Sequence, residues 1–354
     1  MAIKEHQKPS VRIASHSLCF LHDPGIGQPE SVFRLRAVER GLQKYGYAWK
    51  TEDVSIAIDS IRAVHGKEYL LSLDDVVKTG SVAALDSETF ASSDSIRAAY
   101  MSASICCDLV ERVLSHEIDV GFACVRPPGH HALPNGAMGY CIVNNIAVAA
   151  HHALQNGAKK VAILDLDVHH GNGTQAWCSG NKQILHIDLH EDALFPEGSG
   201  AVEECGSGDA VGNIINIPMP NFSGGKEYQK VFSDIVFPVL GAFAPDLVLV
   251  SAGYDAHAYD GLSSLRLTYR DFYDLYSALS EWAIRSCSGR IVCMLEGGYS
   301  VAALESSVPA SIAALSNDVC PNIPVYPMRN KTILGFSDMV ESVKQNVVQK
   351  YWVK

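Results

Sequence analysis

The stretch that decides the fold and the chemistry of this chain is VAILDLDVHHGNGT, at residues 161–174. Its first half is an apolar, β-branched run, which is typical of a strand buried on both faces of a sheet. Its second half places Asp165, Asp167 and His169 two residues apart. Because side chains alternate along a strand, this spacing predicts that the three point to one side.

A divalent cation would explain these three residues, since burying two carboxylates without compensation costs a large free energy. Carboxylate and imidazole ligands suit zinc, and a catalytic zinc keeps one coordination position open for water. A helix N-cap followed by a turn would account for one acid, but not for three aligned side chains. The stretch therefore predicts a metal site, whose ligand types fit zinc or ferrous iron.

Similar apolar runs recur along the chain and predict further buried strands. Stretches with helical spacing separate them: one capped by Ser93 or Asp94, one from Val143 to Gln155 and one from Tyr269 to Arg285. This alternation predicts an α/β fold, with a mostly parallel sheet covered by helices on both faces. The further predicted strands are Val11–Ile13, Val120–Val125, Ile184–Leu189, Ile214–Ile217, Leu247–Val250 and Ile291–Leu295.

A single domain over residues 1–354 is the simplest organisation, because the sequence contains no repeat, low-complexity segment or linker. Residues 320–354 are predicted to form a tail, with a helix from near Ser337 that packs on the outside of the domain. Hydrophobic residues make up 47% of the chain, enough to bury a large core.

The charge balance and the cysteines restrict the class of protein. With 28 basic and 39 acidic residues the formal charge is −11, which disfavours nucleic-acid binding and favours cationic substrates such as lysine tails or polyamines. The sequence has no run of about 18–20 apolar residues and no apolar leader, so we expect a cytoplasmic protein that does not span a membrane. The ten cysteines include no C-x-x-C pair, which agrees with a reducing compartment.

Four other motifs lie at or near the ends of apolar runs, where open α/β sheets bind their ligands. Residues 126–132, RPPGHHA, hold His130 and His131 in a rigid turn suited to proton transfer. The adjacent pair His151-His152 lies in an Ala-rich helix without such a turn, so we assign it no role. The remaining motifs are GAMGYCIVNN at 136–145, SAGYDAH at 251–257 and LEGGY at 295–299.

The last two motifs offer one further metal ligand and one oxyanion donor. In residues 251–257 both Asp255 and His257 are candidate ligands, and Asp255 is preferred because it lies nearer the strand end. In residues 295–299 the glycines would let a loop approach the site, where Tyr299 could donate to a developing oxyanion. The alternative interpretation of residues 295–299 is a structural turn that carries a packed aromatic residue.

Taken together and in this order, the five motifs resemble the histone deacetylase and acetylpolyamine amidohydrolase superfamily, in its class II-like branch. The similarity extends from about Val11 to about Ser316. It implies the arginase/deacetylase fold with about eight strands. It also implies one zinc ion held by Asp167, His169 and Asp255.

The resemblance also implies roles for the residues around the metal. His131 would be the general base and acid, His130 its electrostatic partner, and Tyr299 would polarise the acyl carbonyl. Asp165 would orient His130, and Asn172 would face His131; such contacts set imidazole basicity.

The resemblance further implies a narrow substrate tunnel and a second ion. The backbone carbonyl of Gly139 would receive the substrate N–H, while Tyr140 and Phe195 would line the tunnel. A structural potassium ion would be held by Asp165 and by main-chain carbonyls near Asp167, His169 and Leu189.

Three stretches depart from the family pattern and leave the substrate open. Residues 28–34 read QPESVFR, Tyr140 replaces a phenylalanine, and residues 260–262 read DGL. Leu262 stands where polyamine-preferring relatives carry an acid, which favours acyl-lysine peptides or proteins over acylated polyamines. We therefore predict a zinc-dependent deacetylase, with an acetylpolyamine amidohydrolase as the alternative and a homo-oligomer possible.

A ureohydrolase and a non-catalytic binder fit these residues less well. A two-manganese ureohydrolase would need Asp-x-His-x-Asp, whereas this chain has Asp-x-Asp-x-His at residues 165–169. A non-catalytic acyl-chain binder would not need the catalytic residues. In this chain all the proposed catalytic positions are filled, including Tyr299.

Overall fold

The computed structural model describes residues 8–51, 53–80, 82–324 and 333–352. Within them, eight strands form one sheet in which every neighbouring pair is parallel. Two further strands, β3 Ala83–Ala84 and β4 Phe90–Ala91, pair antiparallel in a small hairpin. The strands of the main sheet are β1 Val11–Ser15, β2 Lys50–Thr51, β5 Val120–Ala123, β6 Val161–Asp165, β7 Ile184–Glu191, β8 Ile214–Met219, β9 Leu247–Ala252 and β10 Ile291–Leu295.

The order of strands across the sheet is β2-β1-β5-β10-β9-β6-β7-β8. Because neighbouring strands are parallel and often not consecutive in the chain, helical crossover connections join them. These helices cover the two faces of the sheet. This confirms the predicted α/β fold class with a parallel sheet. All seven predicted runs are strands, with ends shifted by up to two residues, and β10 has the predicted bounds.

Strand β6 ends at Asp165, one residue before the end of the predicted run Val161–Leu166, and this changes one sequence argument. The carboxylate Oδ1 of Asp165 accepts the N–H of Asp167 at 3.1 Å, so the chain turns directly after Asp165. Asp167 and His169 therefore lie in the segment after the strand, and strand alternation was the wrong reason for grouping them with Asp165.

The helices begin close to where the sequence places them. The long helix α4 is capped by Ser92, whose side chain accepts the N–H of Ser95, rather than by Ser93 or Asp94. Asn144 caps α5, which begins two residues after the predicted start. The α-helices are α1 Val32–Lys44, α2 Ile58–Val64, α3 Lys67–Thr79, α4 Ser93–Leu114, α5 Asn145–Gln155, α6 Asn172–Cys178, α7 Gly225–Val231, α8 Phe237–Phe243, α9 Tyr269–Ser286, α10 Val301–Leu315 and α11 Phe336–Val343.

Helix α11 starts next to the predicted Ser337 and continues as a π-helix over Lys344–Trp352. It contacts β8, and the indole N–H of Trp352 donates to the carbonyl of Gly212 at 2.7 Å. The described part of the tail is therefore docked on the edge of the sheet. Within the described ranges, no helix has the length and apolar character needed to cross a bilayer.

A buried ion cluster joins the start of α1 to the end of β5. Both oxygens of Glu30 accept hydrogen bonds from Arg126, at 2.5 and 2.7 Å, and Arg34 donates to the same carboxylate at 3.0 Å. All three side chains are essentially inaccessible to solvent. Burial opposes the charge of Glu30, but the Arg126 guanidinium and the His22 imidazole beside it hold the pKa of this carboxyl well below its usual range.

Replacing Glu30 with alanine is expected to lower the free energy of unfolding by about 3–5 kcal/mol, because it leaves two buried cations without their shared anion. Urea unfolding followed by circular dichroism measures this loss. Glu39→Ala is the matched control: Glu39 pairs with Arg36 at the surface of α1 and its removal should cost at most about 1 kcal/mol. Equal losses in the two variants would show that the buried cluster does not stabilise the fold.

Candidate active site

Five loops at the carboxyl edge of the sheet carry the candidate site. They follow β5, β10, β9, β6 and β7, which are consecutive neighbours in the sheet. Each predicted motif except the glycine loop at 136–145 follows one of these strands, so parallel pairing brings motifs far apart in sequence to one edge.

Asp167, His169 and Asp255 form the first cluster of possible metal ligands, with one ligand atom from each within 4.8 Å of the others. The Nδ1 atom of His169 lies 3.1 Å from Oδ1 of Asp167 and 3.2 Å from Oδ2 of Asp255. Both carboxylates are completely buried. The structure thus brings together the three predicted ligands. His257 is not a member of this cluster, and its Nδ1 accepts the N–H of Tyr259 at 3.0 Å.

The surroundings of this cluster fit a zinc ion. Oδ2 of Asp255 has no hydrogen-bond partner although it is buried, as expected of an atom that binds a cation. Gly253 and Gly297 form the walls: a Cβ at Gly297 would lie 2.1 Å from Oδ2 of Asp255, and one at Gly253 would lie 2.3 Å from Oδ2 of Asp167. Two carboxylates and one imidazole leave a position open for water.

The two histidines of the RPPGHHA motif have different protonation states. His131 donates through Nδ1 to Oδ1 of Asn172 at 2.8 Å, so its Nε2 is free to accept a proton. Burial and the neighbouring imidazoles hold the pKa of His131 well below its ordinary value. His131 is therefore neutral at pH 7 and has the form required of a general base.

His130 is the charged member of the pair. Its Nδ1 donates to Oδ2 of Asp165 at 3.1 Å, and its ring centre lies 4.0 Å from that of His131. Burial opposes the charge, but the carboxylates of Asp167 and Asp165 outweigh it and raise the pKa of His130 well above its ordinary value. The cationic ring beside His131 lowers the basicity of His131.

Tyr299 follows β10 and is held from two sides. Oδ2 of Asp260 accepts the backbone N–H of Tyr299 at 2.6 Å and that of Ser300 at 2.9 Å. The guanidinium of Arg34 lies 5.0 Å from the Tyr299 ring centre and donates to the carbonyl of Gly298 at 2.6 Å. Burial raises the pKa of Tyr299 well above its ordinary value, so its hydroxyl stays protonated.

Comparison with known proteins agrees with this arrangement. The family model described as "Histone deacetylase domain" matches residues 28–315, well over half of the chain. The chain belongs to the histone deacetylase family. Membership of this deacetylase family makes it a deacetylase-type hydrolase.

Two relatives and one solved structure show how far the similarity extends. "Histone deacetylase 14, chloroplastic" of Arabidopsis thaliana is 37% identical over 313 residues, 85% of this chain and 73% of that protein. "Probable deacetylase" of Archaeoglobus fulgidus is 34% identical over 359 residues, 96% of this chain and 98% of that protein. The "Crystal Structure of HDA15 HD domain" superposes with a TM-score of 0.87 at 32% identity, covering 97% of this chain and 95% of that one.

Of the predicted tunnel residues of this histone deacetylase family member, Phe195 and Gly139 lie beside His131, and Tyr140 lies beside Tyr299. The Phe195 ring centre lies 5.1 Å from that of His131, and the Tyr140 ring centre lies 6.0 Å from that of Tyr299. Gly139 has a φ of +53° and packs against the rings of His131 and Phe195. Leu262 is partly exposed, and its N–H donates to Oδ1 of Asp260 at 3.1 Å.

Replacing Gly139 with alanine is expected to lower kcat/KM by up to about 100-fold, because a shift of about 1 Å at a reacting group has this effect. A Cβ at this position would lie 2.6 Å from the His131 ring and 3.0 Å from the Phe195 ring. Steady-state kinetics with any turned-over substrate measures the loss. Gly136→Ala is the control in the same loop, since its Cβ would meet nothing within 4 Å. A normal kcat/KM in Gly139→Ala would place the reacting groups elsewhere.

Sequence reasoning missed two residues that hold this deacetylase site together. Oε2 of Glu296 accepts the N–H groups of Gly129 and His130 at 2.6 and 3.1 Å, which fixes the histidine turn. Asp260 fixes the loop of Tyr299, as described above. Glu296 was part of the LEGGY motif, but the neighbouring sequence does not indicate that its partners are Gly129 and His130.

The histidine pair that was assigned no role lies elsewhere. His152 on α5 contacts Oγ of Ser60 at 2.9 Å and Oε1 of Glu111 at 2.7 Å. These are contacts between helices, outside the site.

Proposed function

We propose that this chain is a zinc-dependent amidohydrolase that removes an acetyl or similar acyl group from an amine, with acetyl-lysine as the preferred substrate. The observation that carries the proposal is the buried triad Asp167, His169 and Asp255, beside a neutral His131 and a protonated Tyr299. A cation site, a base and an oxyanion donor are the parts that metal-assisted amide hydrolysis needs.

When bound, zinc would supply Lewis-acid chemistry that activates water and polarises the acyl carbonyl. His131 accepts the proton of the attacking water at Nε2, because its Nδ1 proton is engaged by Asn172. Tyr299 donates its hydroxyl proton in a hydrogen bond to the oxyanion that develops on the acyl oxygen. His131 or its charged neighbour His130 then protonates the leaving amine.

Substrate choice rests on the tunnel and on the surface charge. Tyr140 and Phe195 flank the proposed path and suit an aliphatic stem such as that of lysine. The net charge of −11 would attract lysine-rich peptides and polyamines alike. Leu262 supplies no carboxylate for a second amine, which favours acyl-lysine over acylpolyamine.

Four further properties remain predictions from the sequence. They are a potassium ion at Asp165, a homo-oligomeric state, a cytoplasmic location and the absence of nucleic-acid partners.

Hydrolysis of a fluorogenic acetyl-lysine peptide by the purified, zinc-loaded protein tests the proposal. Acetylated polyamines run in parallel separate the alternative substrate. We expect turnover that a hydroxamate inhibits and that prefers the peptide. Preference for acetylpolyamines would favour the alternative substrate class. No turnover of either substrate by protein with bound zinc would favour a non-catalytic acyl-chain binder.

A further inference from the structure

A cleft of about 280 Å³ opens between three helices, and none of the proposed metal ligands lines it. The end of α1, the start of α9 and the first half of α10 form its walls, together with the loop after β9. Its volume is close to the lower end of the range for small-molecule sites, about 300–1,000 Å³. The lining includes Lys44, Tyr45, His257, Tyr259, Tyr269 and Ile323.

One imidazole in this lining has a hydrogen-bond donor without an acceptor. His257 is only 4% exposed, and its Nδ1 accepts the N–H of Tyr259 at 3.0 Å. Because Nδ1 acts as an acceptor, the ring proton lies on Nε2, which is therefore a donor. No residue that the structure describes accepts a hydrogen bond from this Nε2, and the ring borders the cleft. The Nε2–H is thus available to a ligand that enters the cleft.

The charges around the cleft favour an anion. Lys44 is the exposed last residue of α1, and its ammonium lies 5.4 Å from the ring centre of Tyr45 and forms no ion pair with a described residue. Glu305 is the one carboxylate among the described lining residues, and it is already paired with Arg40 at 3.2 Å. The cleft therefore carries an uncompensated positive charge, although the chain as a whole has a formal charge of −11.

Aromatic rings make up much of the remaining lining and suit the body of an organic molecule. Tyr45, Tyr259 and Tyr269 each contribute a ring. The hydroxyl of Tyr269 donates to the carbonyl of Ile323 at 2.6 Å, which holds this wall in place. The hydroxyl of Ser306 is also engaged, since it donates to carbonyls of its own helix. A phosphate has three strong acceptor oxygens and would need more donors than this cleft offers.

We propose that this cleft binds a small organic monocarboxylate with an aromatic body. The carboxylate accepts the Nε2–H of His257 and pairs with Lys44, while the body packs between the tyrosine rings. His257 lies on the segment between Asp255 and Asp260, two residues of the candidate active site, so a bound carboxylate would restrict this segment. The binding itself does not depend on the reaction that the protein catalyses.

Benzoate is the probe for this site, and benzamide is its uncharged counterpart. The zinc-loaded full-length protein is labelled with a nitrogen isotope in its histidines for NMR, and a hydroxamate occupies the metal site so that benzoate cannot bind there. The Nε2–H resonance of His257 is assigned as the one that is missing from His257→Phe. We expect benzoate to shift this resonance saturably with a Kd of about 1 mM, and benzamide to bind about tenfold more weakly.

Two variants test the two contacts separately, with binding followed through the broadening of the benzoate resonances. His257→Phe keeps an aromatic ring without the donor and should weaken benzoate binding about tenfold. Lys44→Gln removes an exposed charge and should weaken it about threefold. Lys44 lies at the surface, so this variant tests the site even if His257→Phe does not fold. Lys50→Gln is the matched control, because Lys50 is an exposed lysine of β2 outside the cleft lining, and it should bind benzoate like the wild type.

Four results would overturn the proposal. One is a His257 resonance that benzoate leaves unchanged. A second is an equal shift with benzamide or inorganic phosphate, which would show that the cleft does not select a carboxylate. A third is equal benzoate affinity in the wild type and in both cleft variants. The fourth is benzoate binding that disappears when the hydroxamate is added, which would assign the carboxylate to the active-site metal.

Discussion

Replacing Asp167 with alanine is expected to remove the catalytic metal and to lower turnover by roughly four orders of magnitude or more. Asp167 contributes a completely buried carboxylate to the proposed ligand set, and its Oδ1 lies 3.1 Å from Nδ1 of His169. Its Oδ2 also accepts the N–H of Gly297 at 2.7 Å, on the loop that leads to Tyr299. Turnover and metal content are measured on the same preparation.

Asp209→Ala is the matched control, because Asp209 is an exposed aspartate in a short 3-10 helix outside the site. This variant should keep both the metal and the activity. If Asp167→Ala retained normal turnover and zinc, the metal site and the reaction would have to be placed elsewhere. Loss of activity with the metal still bound would restrict Asp167 to an orienting role.

The strands were predictable because burial on both faces of a parallel sheet demands continuous apolar runs. This is why the runs around residues 161–166 and 291–295 were identified from composition alone. Strand β2, Lys50–Thr51, was missed because it consists of two exposed polar residues at the sheet edge. Their pairing with β1 depends on tertiary structure that no local pattern encodes.

The polar face of β7 was also missed. The run Ile184–Leu189 was treated as one apolar strand, although His186 and Asp188 alternate with its apolar residues. A strand that alternates in this way within a sheet covered by helices buries polar groups, and such groups need partners or ions. That alternation is the feature by which the buried polar residues His186 and Asp188 could have been found from the sequence.

The site itself was predictable to the level of motifs, because each motif follows a strand whose carboxyl end lies at the same edge. The choice between Asp255 and His257 depended on a turn that the sequence does not specify, and the structure brings Asp255 to the cluster. The structural roles of Glu30 and Asp260 could not be predicted, because the residues to which they hydrogen-bond are distant in sequence.

Tyr299→Phe is expected to lower kcat by about two to three orders of magnitude, the usual effect of removing one oxyanion donor. Only the hydroxyl is lost, while Asp260 and Arg34 still hold the backbone and the ring in place. Zinc content and the free energy of unfolding should therefore remain unchanged. KM should change little, because the hydroxyl acts mainly on the charge that develops in the transition state.

Tyr140→Phe provides the matched control for this experiment. It removes the same atom from a ring whose centre lies 6.0 Å from that of Tyr299, and it restores the phenylalanine that the family pattern carries. Because no catalytic role is proposed for the Tyr140 hydroxyl, kcat should stay within a few-fold of the wild type. A large loss in Tyr140→Phe with normal kcat in Tyr299→Phe would move the oxyanion donor to Tyr140. Normal kcat in both variants would mean that the metal alone stabilises the oxyanion.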